Sequence, residues 1–172
     1  MTATVPCVGC GAHVPVISGP VHSYMESAPG CWALFGEVLA REYSDAAFAA
    51  AHRLTVDSYA VQHPGQPSAQ SIQSVGLHLI SLSLVLGHGA TMQEATKALQ
   101  RGSRFSDALF WLEPPSDRGA ITVLDVGVAE NPETHVRRVW DWARCAWAAW
   151  SQHQRTVDMW IGQFSLVPDP VA

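Results

Sequence analysis

The sequence predicts a mainly α-helical fold: a helical bundle carrying an irregular, zinc-knuckle-like N-terminal segment. Three observations predict it. Apolar residues recur at helical spacing through several stretches bounded by capping residues. Alternating strand patterns are scarce. Cys7-Val8-Gly9-Cys10-Gly11 comes before any convincing helix. With 48% apolar and 15% charged residues, the 172-residue chain can bury one sizeable core. One domain is therefore expected over residues 1–165, with 1–30 resting on the bundle. Residues 166–172, with Pro168 and Pro170, read as a loose tail.

The elements follow in order. Up to Gly30 the segment holds Pro6, Pro15, Gly19, Pro20 and Pro29, which leaves room only for a short extended stretch near Val14 to Ile17. A helix is expected from Cys31 or Trp32 to Tyr43, with Leu34, Val38 and Leu39 as its apolar stripe. Ser44 or Asp45 can cap a second, running to Gln62 and stopped by His63-Pro64-Gly65. Ser68 can cap a third to Leu86, with Ile72, Val75, Leu79, Leu82 and Leu86 on one face. Thr91 to Glu94 is a capping-box pattern that opens a short helix to about Arg101. Residues 109–112 form a hydrophobic plug in a loop, and Thr122 with Asp125 can start a further turn or two. Asn131-Pro132-Glu133 is a strong helix start, and that last helix is expected to reach Gln163.

Charge narrows the function. The net charge is −5, and the only adjacent basic pair, Arg137-Arg138, lies among acids, so no nucleic-acid surface is expected. The N-terminus does not resemble a secretory signal. The most apolar stretch, Leu77 to Leu86, is shorter than the ~20 residues of a membrane span. A soluble, cytoplasmic protein that binds a small molecule is the expectation, with no membrane partner. In a reducing compartment, clustered cysteines point to metal ligation or reactive thiols before disulfides.

Cys7, Cys10 and Cys31 supply three soft sulfur donors, and a closed tetrahedral zinc site needs a fourth ligand. His22 is the first choice because it lies between the knuckle and Cys31, with His13 as the alternative. Cys145, among Trp142, Ala146 and Ala149, reads as core. Pro29-Gly30-Cys31-Trp32 also sets a thiol at a helix N-terminus, where the dipole favours thiolate. Cys-Trp resembles papain-like thiol hydrolases over these few residues, which implies a thiol enzyme using Cys31 as one alternative.

The second and third helices carry a histidine pair. In an antiparallel hairpin about residues 63–67, His52 and His78 are equidistant from the turn and fall at one level. Both sit on apolar faces, where they could bind a metal or act as acid and base. Asp57 and Tyr59 are one to two turns along. His63 lies about 16 Å from His52 by the helical rise, so it could not share an ion with His52 but could face the cysteines. His153 or Asp158 could be a third ligand, while His88 and His135, near helix ends, read as solvated. The seven tryptophans, with Trp140, Trp147 and Trp150 at helical spacing, read first as core. No phosphate-binding loop, dinucleotide fingerprint, HExxH or nucleophile elbow is present, which disfavours those chemistries.

The strings CVGCG, HSYMESAPGCW, FGEVLAREY, HRLTVDSYAVQHPG, QSVGLHLISL and WDWARCAWAAW resemble an uncharacterised bacterial family of small proteins of unknown function. The likeness runs from the knuckle to His153. It implies that Cys7, Cys10, His22, Cys31, His52, Asp57, His63 and His78 form one constellation. Two functions are expected. In the first, a small zinc-dependent enzyme acts on a metabolite, with His52 or His78 moving protons and Asp57, Tyr59 and His63 in the same site. In the second, a non-enzymatic zinc-stabilised module binds a ligand or protein. A closed four-ligand site argues for the module, and an open position beside the histidines argues for the enzyme.

Overall fold

A computed structural model of the chain describes residues 3–167. It is mainly helical. Two three-residue strands, β1 (Thr4–Pro6) and β2 (His13–Pro15), pair antiparallel with Val5 opposite Val14. Seven helices follow: α1 (Pro29–Ser44), α2 (His52–Gln62), α3 (Ala69–Gly87), α4 (Met92–Gly102), α5 (Val123–Gly127), α6 (Pro132–Ala149) and α7 (Gln154–Gln163).

Local chemistry sets these boundaries. Pro29 opens α1 at a position where a missing N–H costs nothing. The Ser68 hydroxyl accepts from Ser71 N–H at the start of α3. Thr91 and Glu94 form a full capping box on α4, Thr122 and Asp125 form one on α5, and Asn131 caps α6 through Thr134 N–H.

Three boundaries differ from expectation. The second helix begins at His52 and not after Asp45, because the Asp45 carboxylate takes Ala47 N–H and its carbonyl takes Phe48 N–H. That local turn precedes a 3₁₀ turn at Ala49–Ala51. The last helix ends at Ala149 and is not continuous to Gln163. Trp150 is almost wholly buried and donates its indole N–H to Val61 carbonyl, and the chain passes through a 3₁₀ turn before α7. At the C-terminus, Leu166 is buried and its N–H bonds Ile161 carbonyl, so the body extends past residue 165. The rest of the predicted tail, from Pro168 on, lies outside the described residues.

Helix α3 runs through the centre and packs against α2, α4 and α7, while α2 also packs on α6, and α1 on α5. By length and composition α3 could cross a membrane, with a mean hydropathy of 1.4, but more than half of that stretch is buried inside the protein. Leu79, Ile80, Leu82 and Leu84 of α3 meet Leu54 and Tyr59 of α2, Trp142 of α6 and Trp160 of α7 in one apolar cluster. The α1 stripe is rotated from the expected one: Cys31, Phe35, Val38 and Glu42 are buried, and Leu34 and Leu39 only partly so. Within the core the Gln62 side chain bonds Arg118 and Ile121 carbonyls and accepts from the Trp142 indole, which ties α2, α6 and the loop before α5 together.

The α2–α3 turn depends on Gly65. Its φ is +68°, and a Cβ there would stand 1.9 Å from the Tyr24 carbonyl oxygen. Gly65→Ala therefore combines strain with a backbone clash. We expect it to destabilise the protein by more than the ~1 kcal/mol of a strained left-handed alanine. Urea unfolding checks this, and an unchanged midpoint would refute the close approach of loop and turn.

Candidate metal centre

Three chain segments meet at the N-terminal end of the bundle. Cys7 and Cys10 lie in the loop joining β1 to β2, Cys31 in the first turn of α1, and His63 directly after α2. The loop is a tight turn: Cys7 N–H bonds Ala12 carbonyl and Gly11 N–H bonds Cys7 carbonyl. The three sulfurs and the histidine nitrogen lie within 4.8 Å of one another and could hold a metal ion. His63 Nε2 is 3.5 Å from Cys7 Sγ and from Cys31 Sγ, and Cys10 Sγ is 3.8 Å from Cys31 Sγ. Cys7, Cys31 and His63 are buried and Cys10 is half-buried.

The surrounding groups orient these donors. His63 Nδ1 is 2.7 Å from the Tyr59 carbonyl oxygen, an acceptor only. Nδ1 therefore carries the proton, and Nε2 presents its lone pair to the sulfurs. Ala28 N–H donates to Cys7 Sγ, and Tyr59 Oη, at 3.7 Å, to Cys31 Sγ. The Tyr59 ring stacks on His63 and on Phe35, and fixes the imidazole plane. Arg118 donates to Gly9 and Gln62 carbonyls, clamping the knuckle to the end of α2 and placing a guanidinium beside the sulfurs.

The thiol chemistry fits a cation. Hydrogen bonds from Cys10 and Cys31, joined by that from Ala28 N–H, outweigh burial and hold the Cys7 thiol far below its ordinary value. Cys10 is drawn down by Cys31, but the Cys7 sulfur and burial push it up more, to about 11. Cys31 is pushed far up by its contacts with Cys10 and Cys7 and by burial. The pocket thus accepts one negative sulfur and resists the next two. A divalent cation at their centre reverses that resistance, because its charge stabilises all three thiolates.

Gly9 is fitted to this site. A Cβ on it would lie 2.1 Å from His63 Cδ2 and 2.5 Å from Glu26 carbonyl oxygen. Gly9→Ala is expected to push the knuckle off His63 and weaken metal retention by about 10-fold or more, the scale of losing supporting geometry at a metal site. Competition against a chromogenic chelator measures it, and unchanged affinity would contradict the contact.

The predicted residues sort as follows. Cys7, Cys10 and Cys31 come together, and the imidazole beside them is His63, not His22. His22 sits on the outer loop. Its Nδ1 accepts from Tyr24 N–H and its ring meets Tyr24 and Trp32 edge-on, so the intervening loop carries it away from the sulfurs. His13 is exposed on β2. Tyr59 belongs with the thiols and not with a histidine cleft, and burial raises its hydroxyl pKa well above the ordinary range.

His52 and His78 do not share a site. His52 Nδ1 is 2.7 Å from Glu42 Oε2 of α1, whereas His78 Nδ1 is 2.7 Å from Asp57 Oδ1. Across the α2–α3 hairpin His78 therefore faces Asp57, and His52, at the first position of α2, turns toward α1. Asp57 also accepts from Ser81 Oγ at 2.6 Å and from Arg53 at 2.8 Å. His135 is fully buried, not solvated, with Nε2 2.8 Å from Glu42 Oε1. Thr55 Oγ1 donates to the same Glu42 oxygen at 2.5 Å. His153 bonds Glu113 carbonyl, and Asp158 pairs with Ser83 and His88, so neither joins His52.

Sequence reasoning missed Glu42 and Arg118. Glu42 had a readable signal: it continues the 3.6-residue stripe of Phe35 and Val38, and an acid on an apolar stripe needs partners. Arg118 had none, since its role depends on the path of the 103–121 loop.

No curated protein and no solved structure shows significant similarity to the chain. A family model described as a family of unknown function matches residues 5–151, from the first strand through the helix after Asn131 and including all four clustered donors. The chain that brings three thiols and an imidazole together at the end of its bundle therefore belongs to that family of unknown function, DUF5946.

Proposed function

We propose that this protein binds one zinc ion through Cys7, Cys10, Cys31 and His63, and that the ion is structural, building the wall of a small-molecule pocket. The observation that carries the reading is the donor set. Three thiolates and one neutral imidazole satisfy the four positions zinc prefers in closed sites, and the supporting hydrogen bonds to Sγ and Nδ1 are already in place. The histidines suited to proton transfer are engaged elsewhere, with Glu42 and Asp57, so the ion is assigned a structural role and not a catalytic one.

What the ion holds is the loop of residues 21–28, between the knuckle and Cys31. That loop lines a cavity of about 440 Å³ with Val8, Gln66 and Ser71, within the size range of small-ligand sites. The loop has little regular structure, so its position depends on the ligated ends. The test is elemental analysis with X-ray absorption at the bound metal. One zinc per chain with three sulfurs, one nitrogen and no water supports the reading. A bound water, or a ligand count without His63, overturns the structural role.

A further inference from the structure

Helix α3 carries a second polar centre away from the thiols. The Asp57 carboxylate is fully buried and accepts from three groups: Arg53, Ser81 Oγ and His78 Nδ1. Because a carboxylate can only accept, His78 Nδ1 carries the proton in this pair and Nε2 is left as a bare acceptor. The His78 side chain is 17% exposed, and it lines a cleft of about 230 Å³ with Tyr24, Gln70, Gln73, Ser74 and Leu99. A buried carboxylate that holds a partly open imidazole through Nδ1 fixes the tautomer that offers Nε2 as an acceptor.

The cleft also defines its occupant. Apart from His78, its lining carries no charged side chain: the carboxamides of Gln70 and Gln73 and the hydroxyl-bearing Tyr24 and Ser74 stand with Leu77 and Leu99. That chemistry suits an uncharged small molecule bearing amide or hydroxyl groups. We infer that Asp57 and His78 form a ligand site in this cleft, where His78 Nε2 accepts a hydrogen bond from an O–H or N–H of a bound uncharged amide or polyol. His78 is the ligand-binding residue, and Asp57, Arg53 and Ser81 are positioning residues. Asp57 Oδ1 and Arg53 Nη2 stand 2.7 and 3.4 Å from His78 Nδ1. The inference depends on the structural-zinc reading only through Tyr24, which the zinc-held loop supplies.

The experiment uses the full, zinc-loaded chain. Long-range proton–nitrogen spectra of histidine-labelled protein read the tautomer of His78, and carbethoxylation mapped by mass spectrometry reads the reactivity of its Nε2. The expected result is an Nδ1–H tautomer and a reactive Nε2 that nicotinamide or glycerol protects. Gln73→Leu is expected to weaken that protection about 10-fold, the worth of one hydrogen bond to the ligand. Asp57→Asn should release the fixed tautomer, because an amide can either accept from or donate to Nδ1. An Nε2–H tautomer, an unreactive His78, or protection by neither probe overturns the inference. If Asp57→Asn does not fold, the wild-type tautomer and the Gln73→Leu protection data decide alone. Zinc content measured on the same samples separates this outcome from the zinc reading: absence of zinc with a reactive, protectable His78 sinks the former reading and leaves this one standing.

Discussion

Cys31→Ser and His63→Ala should each abolish stoichiometric zinc, while His22→Ala retains it. The three thiols and His63 lie within 4.8 Å of one another, and His22 is occupied by Tyr24 on the outer loop. A structural zinc of this type contributes on the order of 10 kcal/mol or more. That is comparable with the whole stability of a domain, about 5–15 kcal/mol. Loss of the ion should therefore release at least the hairpin and residues 21–28, and lower the thermal midpoint by tens of degrees. Elemental analysis beside calorimetry reads both effects. The informative contrast is between the two histidines, since His22 is the nearer to the knuckle in sequence and only His63 is placed to ligate. Zinc loss in His22→Ala, or its retention in His63→Ala, would show that the cluster is assembled differently.

The second large effect belongs to Glu42. Its side chain is fully buried, and its carboxylate accepts from His135, His52 and Thr55. Burial pulls its pKa upward, but the hydrogen bonds from His135, His52 and Thr55 more than offset this and hold it below the ordinary carboxylate value. Glu42→Ala leaves two imidazoles and a hydroxyl without their acceptor in the joint of α1, α2 and α6. The cost is expected at about 3–5 kcal/mol, the range for breaking a buried polar pair from one side. Glu42→Gln keeps the volume and an acceptor oxygen, and should cost less.

The sign of the pH dependence follows from the lowered folded-state pKa. The unfolded carboxyl binds its proton first as pH falls, so the Glu42 contribution is complete above the unfolded carboxylate value. It drains away as pH drops toward the folded value. Acid unfolding of wild type and Glu42→Gln at matched denaturant checks this: the gap between them should be wide near neutrality and close in acid. A gap that widens in acid would mean that the carboxyl is protonated in the fold.

Much of the architecture was legible because it is encoded locally. Ser68, Thr91, Thr122 and Asn131 announce helix starts, since each supplies a side-chain acceptor to the N–H groups that a helix leaves unbonded. The break at Trp150 was not legible: it is set by a hydrogen bond to Val61, 89 residues earlier. The three cysteines were legible as a donor set from residue type and spacing. Choosing between His22 and His63 was not, because proximity in sequence favours the first while the end of α2 delivers the second.

By itself the sequence determined helix caps, the helical class and a sulfur-rich opening, all of which rest on residues within a few positions of one another. The tertiary structure alone decided which imidazole meets the sulfurs, that His78 pairs with Asp57, and that Glu42 gathers His52 and His135. Those pairings join residues 10 to 93 positions apart. Spacing along a chain cannot fix them, because the rotation and offset of packed helices select which polar side chains are buried together.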